Sequence, residues 1–488
     1  MRRDRNFLLL ITLVTLFLWH PLLSLVLQWE AYMYLIPGNV YENSLQNIWG
    51  YPTIFNLQGM ILGAFMTRAF GTHMEFYFAF QIASILVTNF ALFFLAKTLL
   101  KNSFTAFLAT IIFASNFFAL ADIHRSNLYS GVFLERLPFN IPLMIGSFIL
   151  LHTYMERNEI RALVFSLVAF IFAIFISRFS IYFAFPFFFY PFFMRFFSSR
   201  KLKEAWSALL ITLLFVLTTV FFLQPQSDGL SPVPKIALFE FILTPHISRY
   251  PESIVRQFVS IFQFPTVIKA LKSGYQPLAF DNPQEVSRLI LPSLVAYFVG
   301  FVFVYTKKQY RALLCTIFFA TISMLFLNTL IASRLDVFNS AGSSRYFYIP
   351  SIFLSIFWVI VLTTIFAKRY IITMFIVFVF FVINAFTFNY YFKRVFASSK
   401  KTETIVSFIS RNINTFPQES LIVVGPSEDF GPYEAGFYTY HLGRERNIVF
   451  MTEHLGYSDW RSVASRSAHL LYLEFNMKCY CVKQSMIK

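Results

Sequence analysis

Apolar residues in this chain come in long runs separated by short polar breaks, a pattern that predicts membrane-spanning helices. About twenty apolar residues carry a helix across a bilayer, since each adds about 1.5 Å and the hydrocarbon layer is about 30 Å thick. Runs of that kind occupy 7–28, 76–96, 104–121, 132–154, 161–177, 181–194, 205–223, 288–306, 312–331, 347–367 and 370–389. About eleven spans are therefore expected, the sixth being short. The first run is too long for a cleaved leader and lacks a small-residue cleavage site, so it reads as a retained span and signal anchor. The stretch from Ile54 to Phe70 is too short to cross comfortably and suits a helix lying in the interface.

The pattern changes from Ser398 onward. A helix-like stretch at 402–414 precedes Leu421-Ile-Val-Val, and a second at 432–442 precedes Asn447-Ile-Val-Phe. A third near 459–466 leads to Leu470-Leu-Tyr-Leu. Short apolar strands alternating with helices predict a small α/β layer. The expected fold is thus mainly α: a polytopic transmembrane helix bundle over 1–397, then an extracytoplasmic α/β domain over 398–488.

Composition agrees with lipid as the main solvent. Charged residues make up 13% of the chain and hydrophobic ones 57%, whereas soluble domains carry about 25% charged residues. Lipid tolerates the 67 phenylalanines, so they point to no stacking site. In a soluble protein the net charge of +16 would suggest nucleic acid. Here the basic residues sit in short breaks between apolar runs, and nucleic acid is excluded as a partner. The breaks with Arg2, Arg3 and Arg5, Lys97 and Lys101, Arg157 and Arg161, Arg195 to Lys203, Lys307 to Arg311, and Lys368 and Arg369 alternate along the chain. One face collects them, which predicts a multi-pass cell-membrane protein with a cytoplasmic N-terminus and an external tail. Of three cysteines, Cys479 and Cys481 are too close for an ordinary bridge, and no zinc spacing occurs.

Several polar residues at expected helix ends could carry chemistry, because charge at the membrane face needs a reason. Glu30 follows the first span in Gln-Trp-Glu-Ala-Tyr. It suits a general base on a hydroxyl, or equally an interfacial acid beside a Trp/Tyr belt. Arg345 lies in Ser343-Ser-Arg-Tyr-Phe-Tyr-Ile-Pro350, with Arg334 and Asp336 upstream. A guanidinium there can snorkel, meet lipid head groups or hold a phosphate. Asp122 and His124, in the loop Ala121–Asn127, are candidate acid/base groups or metal ligands, against an interfacial role. Arg178 and His246 are weaker candidates. The segment from Gln224 to Ser287 carries six prolines up to Pro265 and an amphipathic piece near 252–272, either a surface loop or an ordered functional one. No Walker loop, GxSxG or HExxH occurs, so ATP-driven transport and the common hydrolase chemistries have no support.

In order along the chain, Glu30, Tyr51-Pro-Thr-Ile-Phe-Asn56, Ala69-Phe-Gly71, His73, Asn89 and Arg345-Tyr-Phe-Tyr-Ile-Pro-Ser351 form a scattered but coherent set. The set resembles the membrane-embedded GT-C glycosyltransferases, including protein O-mannosyltransferases and their bacterial relatives. The Arg345–Ser351 run is its most specific part, and Gly425 to Phe437 resembles the periplasmic tail of bacterial members. The chain departs from the family in having a single acid at Glu30, Ser115–Asp122 after the third span, and Arg178-Phe179 after the fifth. The resemblance implies a hexosyltransferase of the cell envelope. It would move a sugar from a polyprenyl-phosphate donor to a glycan, lipid or protein acceptor at the outer face. Glu30 would be the catalytic base, with Arg345, Arg334, Tyr346, His73, Asp122 and His124 binding substrate. No cofactor is required, a divalent metal being the alternative. The rival readings are a catalytically degenerate scaffold or lipid-linked glycan binder, and a secondary transporter, which would show intramembrane charges or a repeat.

Overall fold

The computed structural model describes residues 2–24, 57–116, 122–124, 127–129, 139–176, 181–199, 210–211, 213–215, 217, 283–334, 348–367, 369–425, 430, 432–452, 469–476 and 481–486. The helices are α1 (Arg2–Trp19), α2 (Leu57–Phe70), α3 (Met74–Leu100), α4 (Ser103–Ala114), α5 (Asn140–Arg157) and α6 (Ile160–Ile176). They continue as α7 (Ile181–Ser199), α8 (Pro283–Tyr305), α9 (Arg311–Arg334), α10 (Tyr348–Ile365), α11 (Tyr370–Asn412) and the short α12 (Pro432–Tyr438). The strands are β1 (Asp122–His124), β2 (Asn127–Tyr129), β3 (Ser420–Val424), β4 (Val449–Thr452), β5 (His469–Asn476) and β6 (Cys481–Met486). The chain divides into two compact units, one of Met1–Leu18, Ser84–His124 and Arg136–Phe388, the other of Trp19–Ala83, Arg125–Glu135 and Asn389–Lys488.

In the first unit the usual partition of residues is inverted. Large apolar side chains line the outside of several helices at helical spacing, as at Ile160, Val164, Val168 and Phe172 on α6, or Leu291, Val295, Phe298 and Val302 on α8. Ile371 at the start of α11 is 78% exposed. Inside, Thr15, Asn89, Ser147, Ser166 and Thr316 are all at 0% exposure. Apolar surface of this extent is unstable in water and at home in lipid. Among the described residues four helices are long and apolar enough to cross a membrane, Arg3–Ser24, Met74–Leu100, Lys308–Phe326 and Tyr348–Ile365. Shorter apolar helices lie at Ser103–Ala114, Ile160–Ile174, Leu291–Tyr305 and Tyr370–Phe386. The seventh expected span falls largely outside the described residues.

Helix contacts in this unit follow two devices. Where backbones come close, small residues sit between them. The Ser147 hydroxyl of α5 donates to the Ser166 carbonyl of α6 at 2.6 Å, and the Ser166 hydroxyl returns a bond to the Ser147 carbonyl at 2.8 Å. Gly300 of α8 faces α10 so closely that an added Cβ would meet Val361 at 3.2 Å. Elsewhere rings interdigitate. Phe193 of α7 stacks on Phe319 of α9 at 5.4 Å, and Phe170, Phe187 and Phe215 form a three-ring cluster. The many phenylalanines act here as packing. α10 is the most enclosed of the four long apolar helices, with buried residues from Tyr348 to Val361, and α4, α8 and α9 pack around it.

Local chemistry explains several helix ends. Asn102 caps α4 by accepting the Phe104 and Thr105 amides at 2.9 and 3.2 Å, which satisfies two otherwise unpaired donors. Asn158 ends α5 in the left-handed region, its amide bonded to the Tyr154 carbonyl at 2.7 Å. Pro186 and Pro191 lie inside α7, where neighbouring groups can compensate the missing amide.

In the second unit β3, β4 and β5 are parallel and β6 is antiparallel, in the order β4-β3-β5-β6. The central strand β3 is buried along its whole length, as expected of a parallel strand covered on both faces. Leu421, Val423 and Leu470 form a small core with Met451 and Tyr472. α12 packs on β4.

Four expectations need correction. The short sixth span is a 19-residue helix, Ile181–Ser199, because its two prolines do not end it. The third span stops at Ala114, where the Ser115 hydroxyl bonds the Ile111 carbonyl at 2.8 Å. The helix-like stretch at 402–414 is no separate element, since α11 runs unbroken for 43 residues. Those residues amount to about 64 Å of rise, twice the thickness of the hydrocarbon layer. Cys481 is disulfide-bonded, where the sequence led to no ordinary bridge between it and Cys479; Cys479 lies outside the described residues, and Cys315 is free. The piece near 459–466 and the segment 224–282 lie outside the described residues.

Candidate functional site

The turn from α2 into α3 holds the one candidate whose side chain is described, His73. The α2 helix ends at Phe70, and Gly71 takes a φ of +54° to turn the chain, a conformation glycine adopts without a Cβ penalty. Tyr77, fully buried on the first turns of α3, closes this corner by donating to the Gly71 carbonyl at 2.8 Å. His73 then projects outward. Its Nδ1 lies 3.3 Å from Glu75 Oε1, both side chains being more than half exposed, and its ring meets Phe76 edge-on at 6.0 Å. An exposed histidine beside a carboxylate can receive a polar ligand. The ion pair itself adds little stability at that exposure.

Asn89, a further residue of the resembling set, lies within the helices. Its Nδ2 donates to the Thr15 hydroxyl at 2.9 Å, and that hydroxyl donates to the Ile11 carbonyl at 2.7 Å. The Asn89 Oδ1 is buried with no hydrogen-bond partner. The pair joins α3 to α1 and has the character of a packing bond.

Asp122 and His124 lie in strand β1, not in the loop that the sequence suggested. Extended backbone prevails over a polar Asp-Ile-His pattern when a second strand, Asn127–Tyr129, follows within a few residues. Arg334 is the final residue of α9. Glu30, Arg345, Tyr346, Arg178 and His246 lie outside the described residues, as do the side chains of Asp122, His124 and Arg334. Among the described residues no group of three His, Cys, Asp or Glu side chains stands together to hold a metal.

The sequence reading passed over His152. It sits on α5 within the apolar run Leu150-Leu-His-Thr-Tyr, buried to 4% exposure, with Glu156 one helical turn later. A histidine inside an apolar span with a carboxylate four positions on was the available signal.

No protein-family model matches the chain, and no curated protein matches it. Among solved structures, the chain is similar to the crystal structure of the Archaeoglobus fulgidus oligosaccharyltransferase in complex with Zn and sulfate. The alignment has 11% identity and a TM-score of 0.42, covering 96% of this chain and 68% of that one. A likeness at that level carries no inference about chemistry.

Proposed function

We propose that this membrane protein is a glycosyltransferase of the GT-C type, moving a sugar from a polyprenyl-phosphate donor to an acceptor at the outer face. One observation carries the reading. The run most specific to that family, Arg345 to Ser351, leads directly into the first turn of α10, the most enclosed of the four long apolar helices. Tyr348, Ile349, Pro350 and Ser351 are all buried there. The Tyr348 ring packs on Phe113 of α4 at 5.2 Å, and the Ser351 hydroxyl bonds the Tyr348 carbonyl at 2.6 Å. In the sequence Arg345 stands three positions before the N-terminus of α10, the kind of helix end that favours an anion.

In this mechanism Glu30 takes the proton from an acceptor hydroxyl as its oxygen attacks the anomeric carbon. The bond from that carbon to the phosphate oxygen breaks, and the electron pair leaves with the lipid phosphate. Arg345 balances the departing charge, with Arg334 as an assistant. Tyr346, His73, Asp122 and His124 supply further substrate contacts. The N-terminus is cytoplasmic and the 398–488 tail external, as the alternating basic breaks require. A lipid-borne donor explains why no nucleotide motif is needed.

The test is purified protein in lipid with a polyprenyl-phosphate sugar and mass detection of product or released carrier. Glu30→Gln keeps shape but removes the base, so turnover should fall by about 10²–10⁴-fold with donor binding intact. Equal turnover by wild type and Glu30→Gln clears Glu30 of the role. Tight donor binding without turnover of any donor supports the scaffold reading. Impermeant labelling of introduced cysteines tests the topology, and labelling at Ser199 with none at Ser427 inverts it.

A further inference from the structure

Four titratable side chains from three elements form a connected line at the end of the bundle where α5 carries Arg157 and α7 carries Arg195. Lys101, in the turn between α3 and α4 with a φ of +54°, places Nζ 2.7 Å from Glu156 Oε1. The same Oε1 lies 3.6 Å from Nε2 of His152. The other ring nitrogen of His152, Nδ1, is hydrogen-bonded to the hydroxyl of Tyr190 on α7. The outer end is wet, Lys101 being 70% exposed, while Tyr190 is at 1%. Phe148 packs on Tyr190 at 5.0 Å and on Phe187 at 5.3 Å, closing the inner end.

The chemistry of the partners sets the proton positions. An ionised carboxylate only accepts, so Glu156 favours the tautomer with hydrogen on Nε2. Nδ1 is then the acceptor and the Tyr190 hydroxyl the donor. Nε2 still has no hydrogen-bond partner, because 3.6 Å is too long for a bond. When His152 gains a proton, Nδ1 becomes a donor and the Tyr190 hydroxyl oxygen turns to accept from it, so the bond reverses. At the same time the cation attracts Glu156, which Lys101 now holds.

We propose that His152 is a protonation-controlled joint: neutral, it accepts from Tyr190 and leaves Glu156 to Lys101, and charged, it donates to Tyr190 and draws Glu156 away from Lys101. Among the described residues, the surrounding elements also carry Arg157, Arg161 and Arg195. Arg157 on α5 is engaged by Glu159 at 3.7 Å, and Arg161 lies at the start of α6. The joint acts between helices at one end of the bundle and is independent of any activity assigned to Glu30 or Arg345.

Double-mutant cycles in lipid nanodiscs test this, reading unfolding equilibrium constants at pH 8 and pH 5 for the full chain. The first cycle pairs His152→Gln with Tyr190→Phe, and the second pairs His152→Gln with Glu156→Gln. The first coupling should be several-fold at both pH values, while the second should be close to unity at pH 8 and several-fold at pH 5. A His152–Glu156 coupling that does not change between the two pH values overturns the joint. If His152→Gln does not fold, imidazole ¹⁵N spectra of wild type and Tyr190→Phe decide. Hydrogen on Nε2 with bare Nδ1 at pH 8 supports the joint, and the opposite tautomer overturns it.

Discussion

The amide of Asn89 on α3 donates to the hydroxyl of Thr15 on α1 at 2.9 Å, with neither residue exposed. A bond of this kind joins two lipid-embedded helices that have little hydrophobic force between them. Thr15→Val leaves the Asn89 amide unpaired and should cost about 1 kcal/mol of helix association, within the measured range for such bonds. Adding Asn89→Leu should cost less than the sum of the two single changes. Reversible unfolding in bilayers or mixed micelles measures both. Strict additivity would show that the bond contributes nothing.

Gly300 makes the second prediction. Its missing side chain lets α8 approach Val361 and Phe357 of α10. Gly300→Leu should overpack that contact and cost about 1–3 kcal/mol. Val299→Leu, one residue away on the exposed face, should be close to neutral. Thermal unfolding in detergent compares the two, and equal melting temperatures would refute the close approach.

In the second unit, Arg446 clamps the turn after α11. Its Nη1 donates to the Asn414 carbonyl at 2.8 Å and its Nη2 to the Phe416 carbonyl at 2.9 Å. Arg446→Ala should cost about 1–2 kcal/mol by losing two charge-assisted bonds to half-exposed carbonyls. Lysine should restore part of this, since it lacks the planar fork. Hydrogen exchange of the amides from Thr415 to Val424 should rise in the alanine variant and fall back in the lysine variant.

The fourth prediction is a pH dependence. His441 lies in a π-helical turn, Thr439–Gly443, with its ring 4.4 Å from Phe437, and its Nε2 is buried without a hydrogen-bond partner. Burial pushes its pKa below the usual histidine value. The unfolded chain then binds the proton more readily than the folded one, so stability falls as pH drops below about 6.5, the unfolded value. The loss levels off once pH passes the folded value. His441→Phe keeps an aromatic ring and removes the titration, so unfolding of the second unit should become flatter between about pH 7.5 and 5. An unchanged slope in that variant would place the titration elsewhere.

Much of the architecture was legible in the sequence. Helices α3, α6, α9 and α10 fall within a few residues of the apolar runs at 76–96, 161–177, 312–331 and 347–367. The three parallel strands arise at Leu421, Val449 and Leu470, within the apolar tetrads expected to form them. Less could be read of the polar contacts. His73 is described as an exposed partner of Glu75, a pairing two residues apart. His152 escaped notice because its partner Tyr190 stands 38 positions away, and Lys101 is 55 positions from Glu156. The edge strand β6, polar and exposed over its last four residues, carries no apolar alternation to announce it.

The sequence by itself determined that most of this chain belongs in lipid and that a small α/β layer follows. Both properties are local sums: about twenty consecutive apolar residues choose the bilayer wherever they occur, and short apolar runs between helical stretches choose strands. The tertiary structure alone decided the order β4-β3-β5-β6, the unbroken length of α11, and the joining of Lys101, Glu156, His152 and Tyr190 into one line. These depend on which helix faces meet and which strands lie side by side. Such choices rest on packing between residues tens of positions apart, which no local pattern of polar and apolar residues encodes.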